Sequence, residues 1–144
     1  MRIAIASDHA GFPMKEALKD RLSRAGHEVA DFGAHSTERS DYPDFAKLAA
    51  AAVEEGRADR GVLVCGSGIG MCIAANRFPH VRAAVLHDEY DAEMSRRHND
   101  ANVACFGARS IDENETGRLL DIFLNAPFDG GRHEGRVMKL CRLP

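Results

Sequence analysis

The order in which short apolar runs and helical patterns follow each other is the feature that most constrains the fold. Five apolar, often β-branched runs alternate with longer segments in which apolar residues recur every three or four positions. Such alternation with short connections predicts a parallel sheet covered by helices on both faces. We therefore expect an α/β fold in which a single domain, residues 1–144, forms a doubly wound, Rossmann-like, five-stranded parallel sheet. The predicted strands are residues 2–7, 27–32, 61–65, 82–87 and 102–106, and the predicted helices are residues 13–25, 43–56, 69–77, 89–97, 113–125 and 135–142.

Composition and charge narrow the class of protein. Hydrophobic residues make up 44% and charged residues 28% of the chain, a balance typical of a soluble globular protein. The net charge of -3 argues against a general nucleic-acid partner. The apolar run at residues 3–6 is too short for a secretion signal, and no apolar run is long enough to cross a bilayer. We expect a cytoplasmic protein with neither a nucleic-acid nor a membrane partner.

The cysteines Cys65, Cys72, Cys105 and Cys141 lack the close paired spacing of zinc-binding sites. A disulfide framework is also unexpected in a domain of this size without a secretion signal. No metal is therefore predicted. Cys72, Cys105 and Cys141 are interpreted as small apolar residues of the core, whereas Cys65 ends a predicted strand and is treated separately.

The carboxyl ends of the strands are where a doubly wound sheet binds its ligands. In this chain that edge comprises residues 7–11, 33–42, 65–70, 87–88 and 107–109. The connection 33–42 is polar and too long for a tight turn, which makes it a candidate functional loop.

The turn Cys65-Gly66-Ser67-Gly68-Ile69-Gly70 carries the strongest chemical signal. Its alternate glycines leave backbone N–H groups unobstructed between a strand and a helix, whose N-terminal dipole adds positive charge. Such a turn can bind a phosphate or the oxyanion of an enediolate, although glycines alone fit close packing of strand and helix equally well. Cys65 favours the chemical interpretation, because a thiol beside clustered N–H groups is a reasonable nucleophile or base.

Other polar residues near the strand ends have both a structural and a functional interpretation. Asp8 is suited to capping the first helix and His9 to a solvated loop, yet both stand at the same sheet edge as Cys65. His98 and Asn99 resemble an ordinary polar helix end, and they precede a strand, which puts them at the opposite edge of the sheet. A catalytic His98 would therefore serve a neighbouring subunit or lie at the end of a long helix.

Arginines near the C-terminus form a second candidate binding group. Arg132, Arg136 and Lys139 follow helical spacing and share one face, which is commonly just a solvated basic face. After the glycine pair at 130–131, however, two arginines suit a clamp for phosphate oxygens. Arg109, at the end of the fifth strand, is a further candidate for that clamp.

Taken together, these segments resemble the ribose-5-phosphate isomerase B family, which also includes galactose-6-phosphate and allose-6-phosphate isomerases. Each segment alone is weakly specific, but the ordered set spans nearly the whole chain. The matching segments are Ser7-Asp8-His9-Ala10-Gly11-Phe12, Asp41-Tyr42-Pro43, Cys65-Gly66-Ser67-Gly68-Ile69-Gly70 with Ile73-Ala74-Ala75-Asn76, Arg96-Arg97-His98-Asn99-Asp100-Ala101-Asn102-Val103, Phe106-Gly107-Ala108-Arg109, and Gly130-Gly131-Arg132-His133-Glu134-Gly135-Arg136-Val137.

The resemblance implies interconversion of ribose 5-phosphate and ribulose 5-phosphate through an enediolate, without a metal or an organic cofactor. It implies that Cys65 is the base, assisted by Ser67, and that His98 opens the sugar ring with help from Asp8. The N–H groups of the glycine turn would stabilise the enediolate. The substrate-binding residues implied in the same way are His9, Tyr42, Gly66, Gly68, Ile69, Gly70, Asn99, Arg109, Arg132 and Arg136.

The resemblance also implies a homodimer, paired into a tetramer in some members, whose sites are built from two subunits. Such sharing would account for the position of His98. One branch of the family replaces the cysteine base with a glutamate just after the glycine turn. That position is Met71 in this chain, so the sequence matches the cysteine branch of the family.

Three alternatives stay open at this point. The substrate could be another sugar phosphate (allose 6-phosphate, galactose 6-phosphate or a tetrose 4-phosphate), because loop 33–42 is expected to set the accepted sugar length. A non-catalytic sugar-phosphate sensor would keep every binding feature but would leave Cys65 and His98 without a role. A dinucleotide-binding module is disfavoured, because the glycines follow a G-x-G-x-G spacing after the third strand and no substrate domain remains.

Overall fold

Five strands and six α-helices alternate along the chain in the predicted order. The computed structural model describes residues 1–143, and Pro144, the last residue of the predicted domain, lies outside the described residues. Across residues 1–143 the helices are too short or too polar to act as membrane spans. The elements are β1 (Arg2–Ser7), α1 (Phe12–Arg24), β2 (Glu28–Asp31), α2 (Tyr42–Glu54), β3 (Arg60–Cys65), α3 (Ile69–Ala75), β4 (Ala83–Val85), α4 (Glu89–Asn99), β5 (Val103–Gly107), α5 (Glu113–Asn125), a 3-10 turn (Gly131–His133) and α6 (Glu134–Leu140).

The sheet is entirely parallel, with the strand order β2-β1-β3-β5-β4. From β1 the chain crosses through α1 to one side of the sheet, and from β3 it crosses through α3 to the other side. The connections that follow these two adjacent strands therefore run in opposite directions. They leave a crevice at the carboxyl ends of the strands, as at the switch point of other open α/β sheets. The predicted doubly wound architecture is confirmed.

Two apolar layers, one on each face of the sheet, hold the helices in place. One layer joins strand residues such as Ile5 and Phe106 to leucines of α1 and α5. The other joins Leu63 and Cys105 to the alanines of α2 and to Met71 of α3. Because every central strand is buried on both faces, its sequence is a continuous apolar run rather than an alternating one.

The helix α4 extends beyond its predicted end at residue 97, and this corrects the placement of His98 and Asn99. Both residues belong to the last helical turn rather than to the following connection. The helix ends at Asp100, which adopts the left-handed conformation (φ 47°), and the Ala101 N–H then donates to the Ser95 carbonyl at 2.9 Å. A non-glycine residue rarely takes this conformation, so the sequence did not signal the stop there.

A buried ion pair anchors the start of the connection between β2 and α2. Lys15 of α1 is fully buried and its Nζ lies 2.7 and 2.8 Å from the two carboxylate oxygens of Asp31. The same Nζ donates to the Ala34 carbonyl at 2.7 Å, and Asp31 accepts the Gly33 N–H at 2.9 Å. The candidate loop 33–41 therefore leaves the sheet in a fixed direction, toward the edge that carries Cys65.

Candidate active site

A cavity of about 380 Å³ opens at the crevice between the carboxyl ends of β1 and β3. Its position follows from the topology, because the helices that follow these two neighbouring strands pack on opposite faces of the sheet. Eight residues line this cavity. Seven of them were predicted from the sequence as site residues, and one was not. The lining residues are Asp8, Tyr42, Cys65, Gly66, Ser67, Gly70, Arg109 and Ser110.

Cys65 ends β3 with its sulfur turned into the glycine turn. The Gly68 N–H donates to the Cys65 Sγ at 3.1 Å, and the Ile69 N–H donates to the Ser67 Oγ at 3.3 Å. The cysteine is almost entirely buried. The sulfur therefore has a backbone N–H donor of the glycine turn directly beside it.

At two positions of the turn the neighbouring atoms leave no room for a Cβ, so glycine is required there. Gly68 has a φ of 77°, and a Cβ there would lie 2.9 Å from the carbonyl carbon of Phe106. A Cβ on Gly70 would lie 2.6 Å from Cζ of Tyr42. The turn thus packs closely against β5 and against the Tyr42 ring while the Gly68 N–H donates to the Cys65 sulfur. Close packing, one of the two interpretations of these glycines, is therefore observed.

The turn that follows β5 is joined to the glycine turn by backbone hydrogen bonds. The Ala108 N–H donates to the Cys65 carbonyl at 2.9 Å, and the Arg109 N–H donates to the Gly66 carbonyl at 3.1 Å. The Arg109 guanidinium lies beside Gly66, where a Cβ would be 3.1 Å from its Nη1. This arrangement puts a positive charge in the cavity next to Cys65, where an anionic substrate group can be held.

Asp8 and His9 stand at the end of β1. Asp8 lines the cavity and its Oδ1 also accepts the Gly11 N–H at 3.0 Å, a bond within the turn that precedes α1. The His9 N–H donates to the Ser40 Oγ at 3.1 Å, and its Nδ1 lies 3.2 Å from the Ser40 N. These contacts hold the imidazole against loop 33–41. Because Nδ1 already contacts Ser40, Nε2 is the ring nitrogen that can contact a ligand.

His98 and Asn99 do not line the Cys65 cavity. Both line a separate cavity of about 340 Å³ beside β4. The His98 ring stacks on the ring of His133, with centroids 4.4 Å apart and planes 6° apart. The structure therefore does not bring the two predicted catalytic residues, Cys65 and His98, together within one chain.

His133 belongs to this second group and was not singled out from the sequence. It is buried, and its Nε2 lies 3.4 Å from the Arg132 Nε. Burial lowers the pKa of His133, and the neighbouring His98, Arg132 and Arg136 lower it further. His133 lies in segment 130–137, which was one of the segments that carried the family resemblance. Its burial, however, depends on how the 3-10 turn folds back onto α4.

The predicted site residues thus form two groups. Asp8, Tyr42, Cys65, Gly66, Ser67, Gly70 and Arg109 line the first cavity, and His9 follows Asp8 at the same end of β1. His98, Arg132 and Arg136 lie near His133, and Asn99 lines the cavity that His98 also lines. Ser110, which lines the first cavity and donates to the Gly107 carbonyl at 3.1 Å, carried no distinctive sequence signal. Among residues 1–143, no group of three or more His, Cys, Asp or Glu side chains is arranged to hold a metal ion.

Comparisons with known proteins agree with one another. A family model described as Ribose/Galactose Isomerase matches residues 3–140. Ribose-5-phosphate isomerase B of Escherichia coli (strain K12) is 44% identical over 136 residues, which cover 94% of this chain and 91% of the relative. A structure of Clostridium thermocellum ribose-5-phosphate isomerase B has a TM-score of 0.97 and 46% identity, covering 99% of this chain and 96% of that chain.

A further structure, of ribose-5-phosphate isomerase B from Mycoplasma genitalium with bound ribulose-5-phosphate, has a TM-score of 0.94 and 40% identity over 98% of this chain and 94% of that chain. The similarity in sequence and in fold extends over nearly the full length of each protein compared. The resemblance inferred from the ordered segments is confirmed, and the chain belongs to the ribose/galactose isomerase family.

Proposed function

We propose that this protein is an aldose-ketose isomerase that interconverts ribose 5-phosphate and ribulose 5-phosphate through an enediolate, with Cys65 as the base. The observation that carries the proposal is the hydrogen bond from the Gly68 N–H to the Cys65 Sγ at 3.1 Å, inside a cavity that also holds a guanidinium. The relatives named ribose-5-phosphate isomerase B, one of them with ribulose-5-phosphate bound, support this substrate.

The reaction needs a base and a site for negative oxygen. The Cys65 thiolate removes the proton from C2 of the open-chain aldose and returns it to C1, while a hydroxyl proton moves from O2 to O1. Between these steps the substrate is an enediolate, whose charge is met by the N–H groups of Gly66, Gly68, Ile69 and Gly70. Ser67 assists the proton transfer, and Tyr42 contacts the sugar.

The remaining roles divide between the two groups of residues. His98, assisted by Asp8, opens the sugar ring, and Asn99 binds sugar hydroxyls or the intermediate. His9, Arg132 and Arg136 bind the phosphate, with Arg109 beside them. No metal ion or organic cofactor enters this scheme.

We propose further that the working unit is a homodimer, with pairing into a tetramer as an additional possibility, in which each site combines Cys65 of one subunit with His98 of the other. The separation of the two groups within one chain supports this assembly. Exposed apolar side chains support it as well, since Ile73 is 64% and Tyr90 70% exposed. One sheet covered on both faces supports the view that the chain forms one isomerase domain.

Two other functions use the same site. Isomerisation of another sugar phosphate, such as allose 6-phosphate, galactose 6-phosphate or a tetrose 4-phosphate, is favoured by the family description, which includes galactose. A non-catalytic sugar-phosphate sensor would need the same phosphate contacts but no base. Turnover of a substrate panel containing ribose 5-phosphate and these three sugar phosphates separates the isomerases, and dominant activity on ribose 5-phosphate is expected.

Replacement of Cys65 separates an enzyme from a sensor. We expect Cys65→Ala to lower kcat by about 1000-fold, because general-base catalysis contributes on that order, while binding of inorganic phosphate is retained. Exchange of the C2 proton of ribose 5-phosphate with deuterated water, followed by NMR, measures the same step directly. Cys72→Ala is the matched control and should retain activity. Full turnover in Cys65→Ala would show that another group is the base.

A further inference from the structure

The imidazole rings of His98 and His133 form a parallel stack between the end of α4 and the 3-10 turn. Their centroids are 4.4 Å apart and their planes differ by 6°. His133 is buried, whereas His98 is only partly buried and lines the cavity of about 340 Å³ beside β4. The buried ring therefore covers one face of the His98 imidazole, and His98 still borders the cavity.

The segment that carries His133 is fastened to the helix that carries His98. The Arg97 Nε donates to the Asp129 Oδ1 at 3.0 Å, and the Asp129 N–H donates to the Arg97 carbonyl at 3.0 Å. The chain then turns at Gly130, which has a φ of 64°, and the His133 N–H donates to the Gly130 carbonyl at 3.0 Å. These bonds hold the His133 ring against the residue that follows Arg97.

The hydrogen bond from Arg132 determines the protonation state of His133. The Arg132 Nε–H can only donate, and it donates to the His133 Nε2 at 3.4 Å. The Nε2 is therefore an acceptor, and the ring is neutral with its proton on Nδ1. The charged or titratable groups beside this ring are His98, Arg132 and Arg136, which oppose its protonation, and Asp129, which favours it. A neutral ring does not repel a proton on His98, so His98 can bind and release one beside it.

We propose that His133 is a positioning residue for sugar-ring opening: its buried ring, stacked on His98, holds the His98 imidazole in the orientation in which it exchanges a proton with the sugar. This role rests on the proposed function, in which His98 opens the ring. In that step the C1 hydroxyl loses its proton, the bond between C1 and the ring oxygen breaks as the C1 carbonyl forms, and the ring oxygen takes up a proton. Such a transfer requires the imidazole nitrogen at hydrogen-bond distance and in a fixed orientation.

A purely structural role of His133 would have different kinetic consequences. Among residues 131–140, His133 is the one that is buried, so it also holds the segment that carries Arg132 and Arg136. Loosening of that segment would weaken phosphate binding and raise KM for every sugar phosphate. A misplaced His98 would instead lower kcat, and only for a substrate whose ring must open. The two roles therefore differ in the kinetic constant that changes and in the substrate for which it changes.

Comparison of a cyclic with an open-chain substrate tests the proposal. Ribose 5-phosphate is mainly a furanose, whereas ribulose 5-phosphate has no furanose form, because its C5 oxygen is esterified. Exchange of the C1 proton of ribulose 5-phosphate with deuterated water, followed by NMR, therefore needs the base but no ring opening. In His133→Ala we expect kcat from ribose 5-phosphate to fall about 100-fold, while the exchange rate at saturating ribulose 5-phosphate stays within about threefold of the wild type.

Matched variants separate the flat ring from the other properties of His133. His133→Phe keeps a flat ring for His98 to stack on but removes the acceptor for Arg132, so kcat from ribose 5-phosphate should return to within about threefold of the wild type. His80→Ala, which removes an exposed histidine, is the control and should change neither assay. Circular dichroism checks the fold of each variant. Should His133→Ala fail to fold, His133→Leu keeps an apolar side chain in the buried position and should show the same selective loss.

Three outcomes would overturn the role of His133 alone. They are proportional losses of turnover and proton exchange in His133→Ala, a raised KM with unchanged kcat, and a His133→Phe variant as impaired as His133→Ala. Absence of both activities in the wild-type protein would instead overturn the proposed function itself, and this role with it.

Discussion

The pair formed by Lys15 and Asp31 illustrates how single residues hold a binding loop in place. Burial raises the pKa of Asp31, but hydrogen bonds from Lys15, from the Gly33 N–H and from Lys19 outweigh it and leave the pKa below its usual value. The ionised carboxylate therefore stabilises the folded state. That contribution is complete above the unfolded pKa of about 4 and is lost as the pH falls through the lower folded value.

Replacing Asp31 by Asn should destabilise the protein by about 2 kcal/mol at pH 7, because the fully buried Lys15 loses the closer of its two counter-ions and keeps only Glu16 at 3.2 Å. The cost stays below that of a fully buried pair, since the Asp31 side chain is 16% exposed. Urea unfolding at several pH values measures the effect, and the difference from the wild type should shrink below about pH 4. Asp44→Asn, which breaks the exposed pair with Lys47, is the control and should change little. A pH-independent difference would contradict the role given to Asp31.

The glycine turn and α3 act as one element, in which neighbouring glycines serve different purposes. Gly68 faces the backbone of β5 and has a positive φ, whereas Gly70 faces the ring of Tyr42, which is 40% exposed and can move. The first glycine is therefore required for the fold of the turn. The second is required for the position of a side chain that lines the cavity.

Gly68→Ala and Gly70→Ala should consequently have different effects. We expect Gly68→Ala to lower the free energy of unfolding by about 2 kcal/mol, through strain at positive φ and the contact with Phe106. Gly70→Ala should leave stability nearly unchanged but raise KM for the sugar phosphate by about tenfold as Tyr42 is displaced. Thermal unfolding and steady-state kinetics on both variants measure the contrast. Equal losses of stability would contradict it.

The same element shows what could be predicted from the sequence. Local patterns were sufficient for the strands, and the rule that parallel strands expose their carboxyl ends together was sufficient to unite Asp8, Cys65 and Arg109 from distant parts of the chain. The end of α4 was missed because Asp100, a non-glycine residue, has a positive φ. The burial of His133 and its stacking on His98 were missed because they depend on tertiary packing, which no local pattern encodes.

At the scale of the whole molecule, the candidate site residues are divided between two separate places on one chain. The Cys65 cavity lies at the crevice between β1 and β3, and the group around His133 lies against the end of α4. In a twofold dimer, one contact region occurs twice, so each chain can supply both parts to its partner. The proposed assembly makes two complete sites from two incomplete chains.

Mixing two inactive variants tests this division. Cys65→Ala and His98→Ala should each lose nearly all activity alone, because every site in either homodimer lacks one group. After the two are mixed, unfolded and refolded together, half of the dimers are mixed and each contains one intact site, so activity should recover to about a quarter of the wild-type value. Two Cys65 variants refolded together are the control. The absence of recovery in mixed dimers, verified by tagged subunits, would mean that sites are not shared.

The hydrogen bonds that join the two turns beside Cys65 have a consequence for how such a protein diversifies. The Cys65 and Gly66 carbonyls accept from the Ala108 and Arg109 N–H groups, so the floor of the cavity is held by backbone alone. Its wall, by contrast, includes the Tyr42 side chain at the start of α2, where a substitution leaves those backbone bonds intact. Mutation can therefore change the shape of the wall, and with it the accepted sugar length, while Cys65, the proposed base, keeps its position.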